Sequence, residues 1–272
     1  MTTLVIGARG SIGRSVLDQL LAEGEPVRAS VRRGGHELPE AVEVVAADLG
    51  DQDSLDQALD GVRRVFLYTP APEQVEAVIR ALEKAELERV VQLSSGSVLL
   101  ESAAGNAIAE EHRLAEAAFA RSALPWVPIR PLVLATNDLY WDTRGPVRLV
   151  RPEACTAPVH EHDIAAVAVA ALTGAVDLEA ASGMLTGAEL LSQRERVAVI
   201  ADVLGRPIEI EELTEDEART VFPDSAQADA ILDFLREAAA GGSPATGVVR
   251  ELLGREPLSY RQWVMDHRED LS

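Results

Sequence analysis

Three glycines near the start of the chain have the spacing of a nucleotide-binding turn. Gly7, Gly10 and Gly13 follow a short apolar run at residues 3–6 and precede an amphipathic helical pattern. In a strand–turn–helix unit, the first glycine permits a tight turn, the second lets the backbone approach a pyrophosphate, and the third allows close helix packing. The helix N-terminus would then face the phosphates. The pattern predicts a dinucleotide site, the alternative being a tight turn without a ligand. The intervening residues of this predicted site are Arg9, Ser11 and Ile12.

The choice of nucleotide depends on the residues after the second predicted strand. Sites for NAD usually have an acidic residue there, which binds the ribose 2′-hydroxyl. This chain has Arg32 and Arg33 instead. Because a guanidinium suits a phosphate, we expect NADP(H) to be preferred over NAD(H). Arg9 is a candidate second phosphate ligand. The alternative for Arg32 is a solvated arginine after a strand.

Short apolar runs alternate with helical patterns through the first half of the chain. This alternation predicts an α/β fold, a doubly wound parallel Rossmann-type sheet with helices on both faces. We predict a cofactor-binding domain at 1–150 and a small C-terminal α+β substrate lobe at 151–272, packed together as one structural unit. The sixth strand contains prolines and is expected toward an edge of the sheet. The predicted strands are 3–6, 27–31, 42–46, 64–68, 90–93 and 126–130.

Composition narrows the classes of partner. The 272 residues include 45 acidic and 25 basic side chains, a formal net charge of −20. Such a charge disfavours nucleic acid and anionic membranes, and no apolar stretch is long enough for a membrane span. A single cysteine, Cys155, leaves no internal disulfide and favours the reducing cytoplasm. We therefore expect a cytoplasmic protein, a monomer or homodimer, that acts on a small molecule.

Several short motifs follow one another in a characteristic order along the chain. They are the glycine turn at 7–13, the strand ending in Arg32, Asp48-Leu49, Tyr68-Thr69-Pro70, Ser94-Ser95, Arg130-Pro131 followed by Asn137, and residues 159–165. Their order and spacing resemble the NmrA-like group of atypical short-chain dehydrogenases/reductases. Members bind NADP(H) or NAD(P)⁺ on a Rossmann-type sheet. Some members reduce quinones or dyes, and others are redox sensors without catalysis. The resemblance implies that Asp48 and Leu49 contact the adenine, the alternative for Asp48 being a turn carboxylate.

The catalytic tyrosine and lysine of most short-chain dehydrogenases are missing. That pair is spaced by four residues, and the tyrosine supplies the proton that accompanies the hydride. No lysine here follows a tyrosine at that spacing: the candidates are Tyr68, Tyr140, Tyr260 and the single lysine, Lys84. The resemblance places the family's tyrosine and lysine positions near Ile108 and His112, and Glu116 matches the glutamate that often follows them.

Three functions remain open after this comparison. A quinone-like acceptor needs no enzymic acid, because its reduced phenolate has a pKa of about 10. Hydride transfer to such a conjugated molecule is therefore the first hypothesis. The second is a non-catalytic NADP(H)-binding sensor or regulator. The third is a non-redox enzyme, such as an isomerase, that keeps the fold and the cofactor.

His112 and Ser94 are the candidate catalytic residues. His112 could replace the lysine, either by bonding the ribose or by acting as an acid, and the alternative is an ordinary helix histidine. The neighbouring Glu110 and Glu111 are expected to raise its pKa. Ser94 and Ser95 end the fifth strand and could bond the nicotinamide carboxamide or a substrate carbonyl, or simply form a turn.

The remaining site predictions follow from position along the chain. Thr69 and Pro70 end the fourth strand, where a cofactor would bind, because ligands lie at the carboxyl ends of parallel strands. No metal is expected at His160, His162 and Asp163, because the resemblance implies that these residues form a structural turn and a helix cap. The substrate pocket is predicted to include Ser95, Asn137, Tyr140 and Trp141.

Overall fold

A computed structural model of the chain describes residues 1–31, 38–39, 42–220 and 224–272. The first half contains the alternation that the sequence predicts. Its strands are β1 (Thr2–Val5), β2 (Val27–Val31), β3 (Glu43–Ala46), β4 (Val62–Tyr68), β5 (Arg89–Leu93) and β6 (Trp126–Pro131). The helices between them are α1 (Ser11–Ala22), α2 (Gln52–Ala58), α3 (Val75–Lys84) and α4 (Ala107–Ala120).

The central sheet has seven strands in the order β3-β2-β1-β4-β5-β6-β9, where β9 is Met184–Leu185. The five neighbouring pairs from β3 to β6 are parallel. This arrangement confirms the predicted Rossmann-type α/β fold. The strand order reverses between β1 and β4, and doubly wound sheets bind ligands at such a reversal. β6 lies one strand from the end of the sheet, near the edge that its prolines indicate.

Helical spacing of apolar residues explains why the helices pack on the sheet. Ile12, Val16, Leu17 and Leu20 of α1 are buried, on one face of the helix. Helix α3 buries its apolar face in the same way. The largest core cluster combines these faces with the strands, and its bulkiest fully buried members include Leu4, Leu55, Leu67, Leu82 and Phe119.

The chain divides into two compact units. The first comprises residues 1–98, 111–130 and 161–183, and the second comprises 99–110, 131–160 and 184–272. Helix α5 (Glu161–Thr173) belongs to the first unit and packs on α1. The predicted assignment of cofactor binding to 1–150 and substrate binding to 151–272 remains a prediction.

The second unit contains short strands and five helices among the residues described. Strand β7 (Val147–Val150) pairs in parallel with β11 (Ile210–Leu213), and β8 (Cys155–Thr156) pairs antiparallel with β10 (Leu191–Ser192). One of its core clusters is built around the fully buried Trp263, which stacks on Tyr260. The helices are α6 (Gln193–Leu204), α7 (Glu215–Arg219), α8 (Ser225–Ala239), α9 (Val248–Leu253) and α10 (Tyr260–Asp266).

The first residues of two helices illustrate how capping fixes element boundaries. Thr214 and Glu217 form a capping box at the start of α7. Helix α2 is capped by Asp51, whose carboxylate accepts from the backbone N–H groups of Asp53 and Ser54. The carboxylate of an N-cap aspartate reaches the free N–H groups of the first turn, which places the start of α2 at Gln52.

None of the helices in the described residues combines the length and the apolar composition that crossing a bilayer requires.

Candidate active site

The glycine turn has the backbone geometry that the sequence predicts. Gly7 has a φ of +83°, a conformation that side chains with a Cβ disfavour. A Cβ on Gly13 would collide with the carbonyl oxygen of Gly7, so only glycine allows α1 to approach the end of β1 this closely. These two glycines therefore shape the turn.

The N-terminus of α1 offers donors suited to an anion. Gly10 precedes the helix and provides no side-chain cap. Within the described part of the chain, no acceptor is bonded to the backbone N–H groups of Ser11 and Ile12, and the first turn has no acidic residue. A pyrophosphate is stabilised at such a terminus by these N–H groups and by the helix dipole. The cradle thus fits the diphosphate of a dinucleotide.

One side chain already lies across this cradle. The Gly13 N–H donates to the Tyr68 hydroxyl at 3.1 Å, and the phenol ring packs against Gly7 and Gly10. Burial raises the pKa of Tyr68, so the phenol stays neutral at physiological pH. A phosphate oxygen at the Gly13 N–H would compete with this hydroxyl. The sequence motif contains Tyr68, but the sequence gives no indication of this contact.

The predicted nucleotide contacts are only partly within the described residues. Asp48 is exposed, and its carboxylate accepts from the Gly50 N–H at 2.9 Å, which is the turn role considered as its alternative. Leu49 is half-buried and Arg9 is exposed. Arg32 and Arg33 lie outside the described residues.

A hydrogen-bonded series of side chains reaches His112 from the neighbouring strands. The indole N–H of Trp126 donates to Gln92 Oε1 at 3.0 Å, and Gln92 Nε2 donates to Thr69 Oγ1 at 3.0 Å. His112 Nδ1 lies 3.0 Å from the same Thr69 oxygen. Thr69 directly follows β4, so the imidazole is held at the carboxyl end of that strand.

The pKa of His112 moves in the direction opposite to the prediction. Burial disfavours the charged imidazolium and lowers the pKa of His112, although the carboxylates of Glu111 and Glu116 oppose this. The prediction from Glu110 and Glu111 was wrong because sequence neighbours reveal nearby charges but not desolvation. His112 is therefore neutral at physiological pH.

Ser94 belongs to a buried ionic cluster. Its hydroxyl donates to Glu116 Oε1 at 2.6 Å, and Arg130 binds both oxygens of Glu116. Arg130 also donates to the Ser182 carbonyl at 2.6 Å. Because its only hydroxyl hydrogen points at Glu116, Ser94 can accept a hydrogen bond here but cannot supply a proton.

Ser95, by contrast, keeps a local polar role. Its hydroxyl lies 2.8 Å from that of Ser97, and the Ser97 N–H donates to it at 3.3 Å. Pro70, at the predicted cofactor edge, is buried.

The other predicted pocket residues belong to the second unit. Asn137 and Tyr140 are exposed, whereas Trp141 is half-buried with the Arg196 guanidinium 5.0 Å from its ring centre. Tyr140 and Trp141 line an open, polar depression of about 320 Å³ that also includes the C-terminal residues 270–272. Asn137 is not among its lining residues.

The polar partners of His112 were missed by sequence reasoning. The available signal in the sequence was Gln92, a polar residue within an otherwise apolar strand. The structure buries it fully, so its amide needs hydrogen-bond partners. Its contact with Trp126 joins two neighbouring strands and depends on their register. Among the described residues, no cluster of three or more histidine, cysteine or acidic side chains is arranged to hold a metal ion.

Comparison with known proteins identifies the family. A model of an NAD(P)H-binding family matches residues 7–175. A (4-alkanoyl-5-oxo-2,5-dihydrofuran-3-yl)methyl phosphate reductase of Streptomyces griseus is 36% identical over 98% of both chains. The chain belongs to the NmrA-like, NAD(P)H-binding group of atypical short-chain dehydrogenases/reductases. This confirms the predicted family and the predicted class, an NAD(P)H-dependent oxidoreductase.

Two further similarities cover nearly the whole chain. An NAD(P)H azoreductase of Xenophilus azovorans is 27% identical over 97% of both chains. The structure of an NADPH-dependent quinone oxidoreductase from Escherichia coli superposes with a TM-score of 0.78, covering 98% of this chain and 99% of that one, at 20% identity. The structural similarity supports the fold, and the use of a nicotinamide cofactor follows from the family.

Proposed function

We propose that this protein is an NADPH-dependent reductase of a conjugated, electron-poor small molecule, such as an unsaturated carbonyl compound or a quinone. The observation that carries the proposal is the absence of the tyrosine–lysine pair from the chain. The side chain at the carboxyl end of β4 is instead the imidazole of His112, whose pKa burial lowers. A site without a strong acid suits an acceptor whose reduced anion is stabilised by its own conjugation, because such an anion forms without an enzymic proton donor.

The chain's own residues account for cofactor binding. The N–H groups at the start of α1 would hold the diphosphate, with Arg9 beside them, and Asp48 and Leu49 would contact the adenine. Arg32 and Arg33 support a preference for the 2′-phosphate of NADP(H). Thr69 and Pro70 would lie along the nicotinamide half, and the Ser94 oxygen could accept from the carboxamide. When bound, the reduced nicotinamide would supply the hydride and would itself be oxidised.

The chemistry at the acceptor is a conjugate reduction. The β-carbon of the acceptor takes up the hydride, and the electron pair of its double bond moves onto the carbonyl oxygen as an enolate. A proton from water then completes the product. A phenolate, whose conjugate acid has a pKa of about 10, forms without an enzymic proton donor. An enolate that is delocalised over a second carbonyl group is stabilised in the same way, whereas a simple ketone would give a far more basic alkoxide.

The names of the relatives support this class of acceptor. The substrate named for the Streptomyces griseus reductase has a ring double bond flanked by a ring carbonyl and an alkanoyl group. The Xenophilus azovorans relative is named for reduction of azo compounds. Both acceptors are conjugated and electron-poor. The proposed setting is the cytoplasm, with Ser95, Asn137, Tyr140 and Trp141 as candidate substrate contacts.

The first test measures cofactor binding and turnover separately. Titration of tryptophan fluorescence with NADPH and NADH should show tighter binding of NADPH. Arg32→Ala should weaken NADPH binding by about 10–100-fold, the loss of charge-assisted hydrogen bonds, and leave NADH binding unchanged. Equal affinity for both cofactors would contradict the assignment of Arg32.

Turnover is then followed by the absorbance of the reduced nicotinamide. A 2-acyl butenolide and a benzoquinone should oxidise NADPH, and cyclohexanone, an unconjugated ketone, should not. Tight NADPH binding without turnover on any acceptor would favour the sensor. Conversion of a substrate without net consumption of the cofactor would favour the non-redox enzyme.

A further inference from the structure

The hydrogen-bonded series that ends at His112 has a direction, which its first donor determines. An indole N–H can only donate, so the contact from Trp126 fixes Gln92 Oε1 as the acceptor. The amide nitrogen of Gln92 is then necessarily the group facing Thr69 Oγ1. Gln92 is fully buried, and both ends of its amide are satisfied in this orientation alone.

Thr69 transmits this direction to the imidazole. Its oxygen accepts from Gln92 and has one hydrogen to give, with two neighbours left: the Leu93 carbonyl oxygen at 2.8 Å and His112 Nδ1 at 3.0 Å. If the hydrogen pointed at His112, two oxygen atoms would face each other at 2.8 Å with no hydrogen between them. The hydrogen therefore points at the Leu93 carbonyl, and the remaining contact needs a hydrogen on Nδ1.

We infer that Trp126, Gln92 and Thr69 hold the neutral His112 ring in the tautomer that carries its hydrogen on Nδ1, which makes Nε2 a hydrogen-bond acceptor. The three residues are positioning residues, because they act through His112. An acceptor at Nε2 suits a hydroxyl group, such as those of the nicotinamide ribose. This last step rests on the proposed function, whereas the tautomer follows from the contacts alone.

The charges around the ring are compatible with a neutral imidazole. Glu111 and Glu116 lie on the same helix and favour the charged form, but burial outweighs them and lowers the pKa. Glu116 is moreover engaged by Arg130 of β6 and by Ser94 after β5. A neutral ring with its hydrogen on Nδ1 accepts at Nε2, so it would bind a hydroxyl rather than protonate a substrate.

The tautomer is directly measurable in the protein without cofactor. Long-range proton–nitrogen NMR spectra of ¹⁵N-histidine-labelled protein, at about pH 8 where histidine is neutral, distinguish the two tautomers by their ring nitrogen shifts. The signals of His112 are those missing from His112→Asn. We expect the pattern of the Nδ1-protonated form. The pattern of the Nε2-protonated form would overturn the inference.

A matched pair of variants tests whether Thr69 sets the tautomer. Thr69→Val keeps the branched shape and removes the acceptor, so the signals should move toward the Nε2-protonated pattern. Thr69→Ser restores the hydroxyl and should restore the Nδ1-protonated pattern. If Thr69→Val is folded and leaves the shifts unchanged, Thr69 is not the positioning residue and the inference fails.

Adding NADPH separates this inference from the proposed function. At saturation the Nε2 nitrogen signal should shift, as expected when it accepts a hydrogen bond, and Thr69→Val should raise the Kd for NADPH about tenfold while Thr69→Ser stays near wild type. Bound NADPH with no change at Nε2 would refute the acceptor role. Failure of NADPH to bind would instead refute the proposed function, with the tautomer already decided by the cofactor-free spectra.

Discussion

Two polar regions at the same edge of the sheet use their hydrogen-bonding groups very differently. At the glycine turn, one bond from the Gly13 N–H to Tyr68 spans a helix terminus whose Ser11 and Ile12 N–H groups have no described acceptor. At the end of β4, Thr69 Oγ1 contacts three partners at once and its capacity is filled. A ligand could replace the single bond of the first region, whereas the hydrogen-bonding groups of the second are all in use. We call the second, formed by Thr69 and its partners, the committed region.

The difference indicates where a ligand can intervene. A single hydrogen bond contributes only about 0.5–1.5 kcal/mol net, so an anionic ligand can replace the Tyr68 hydroxyl at small cost. Breaking the filled network would leave buried donors or acceptors unpaired, at about 1–3 kcal/mol for each group. The glycine turn is thus suited to bind and release a cofactor, and the His112 network is suited to hold one geometry throughout.

The largest expected effect tests whether the turn depends on backbone contact. In Gly13→Ala the new Cβ would meet the carbonyl oxygen of Gly7, which cannot move aside as a flexible side chain could. We expect a loss of about 3 kcal/mol in the free energy of unfolding, from urea denaturation. Gly145→Ala is the control, because nothing lies within 4 Å of a Cβ there. Equal stability of the two variants would show that the turn has room to adjust.

The next effect tests the committed region. Gln92→Leu removes one donor to Thr69 and the acceptor of the Trp126 indole, and this indole has no other acceptor within the described residues. The free energy of unfolding should fall by about 1–3 kcal/mol. The His112 NMR signals should also change, because the direction of the series is lost. A stable variant with unchanged His112 signals would mean that the network is not coupled.

The sequence predicts the scaffold of both regions better than their contacts. Buried parallel strands are continuous apolar runs, so the strand positions at 27–31 and 90–93 agree with β2 and β5 within a residue. The glycine spacing also predicted the turn. The contact between Gln92 and Trp126 depends on strand order and register, which local sequence does not specify.

Electrostatic predictions fail for a related reason. Glu110 and Glu111 are visible as neighbours of His112 in the sequence, whereas the desolvation that dominates its pKa arises from elements packed around it. Similarly, the residue type of Tyr68 does not reveal that its hydroxyl lies at the helix terminus.

A pH experiment sharpens the contrast by testing whether the committed region stays neutral. Because the folded-state pKa of His112 lies below its ordinary value of about 6.5, the unfolded chain binds the proton more readily. The free energy of unfolding should therefore fall as pH drops below about 6.5, and this loss should end below the folded pKa. The difference between wild type and His112→Asn, from denaturation curves across pH, isolates this contribution. A difference that grows in favour of wild type at low pH would mean a raised pKa.

The smallest expected effect concerns the exchangeable bond. Tyr68→Phe keeps the ring and removes the hydroxyl that accepts from Gly13, so stability should fall by about 0.5–1.5 kcal/mol. Tyr140→Phe, at a tyrosine that is 90% exposed, is the control and should change stability by less than about 0.5 kcal/mol.

Cofactor affinity decides what that hydroxyl does. If the Tyr68 hydroxyl competes with the diphosphate for the helix terminus, its removal destabilises the free protein but not the complex. Tyr68→Phe should then bind NADPH up to about tenfold more tightly by fluorescence titration. Weaker binding would mean that the phenol stays and contacts the cofactor itself. The glycine turn would then be a committed region as well, and its apparent openness would come only from the N–H groups of Ser11 and Ile12.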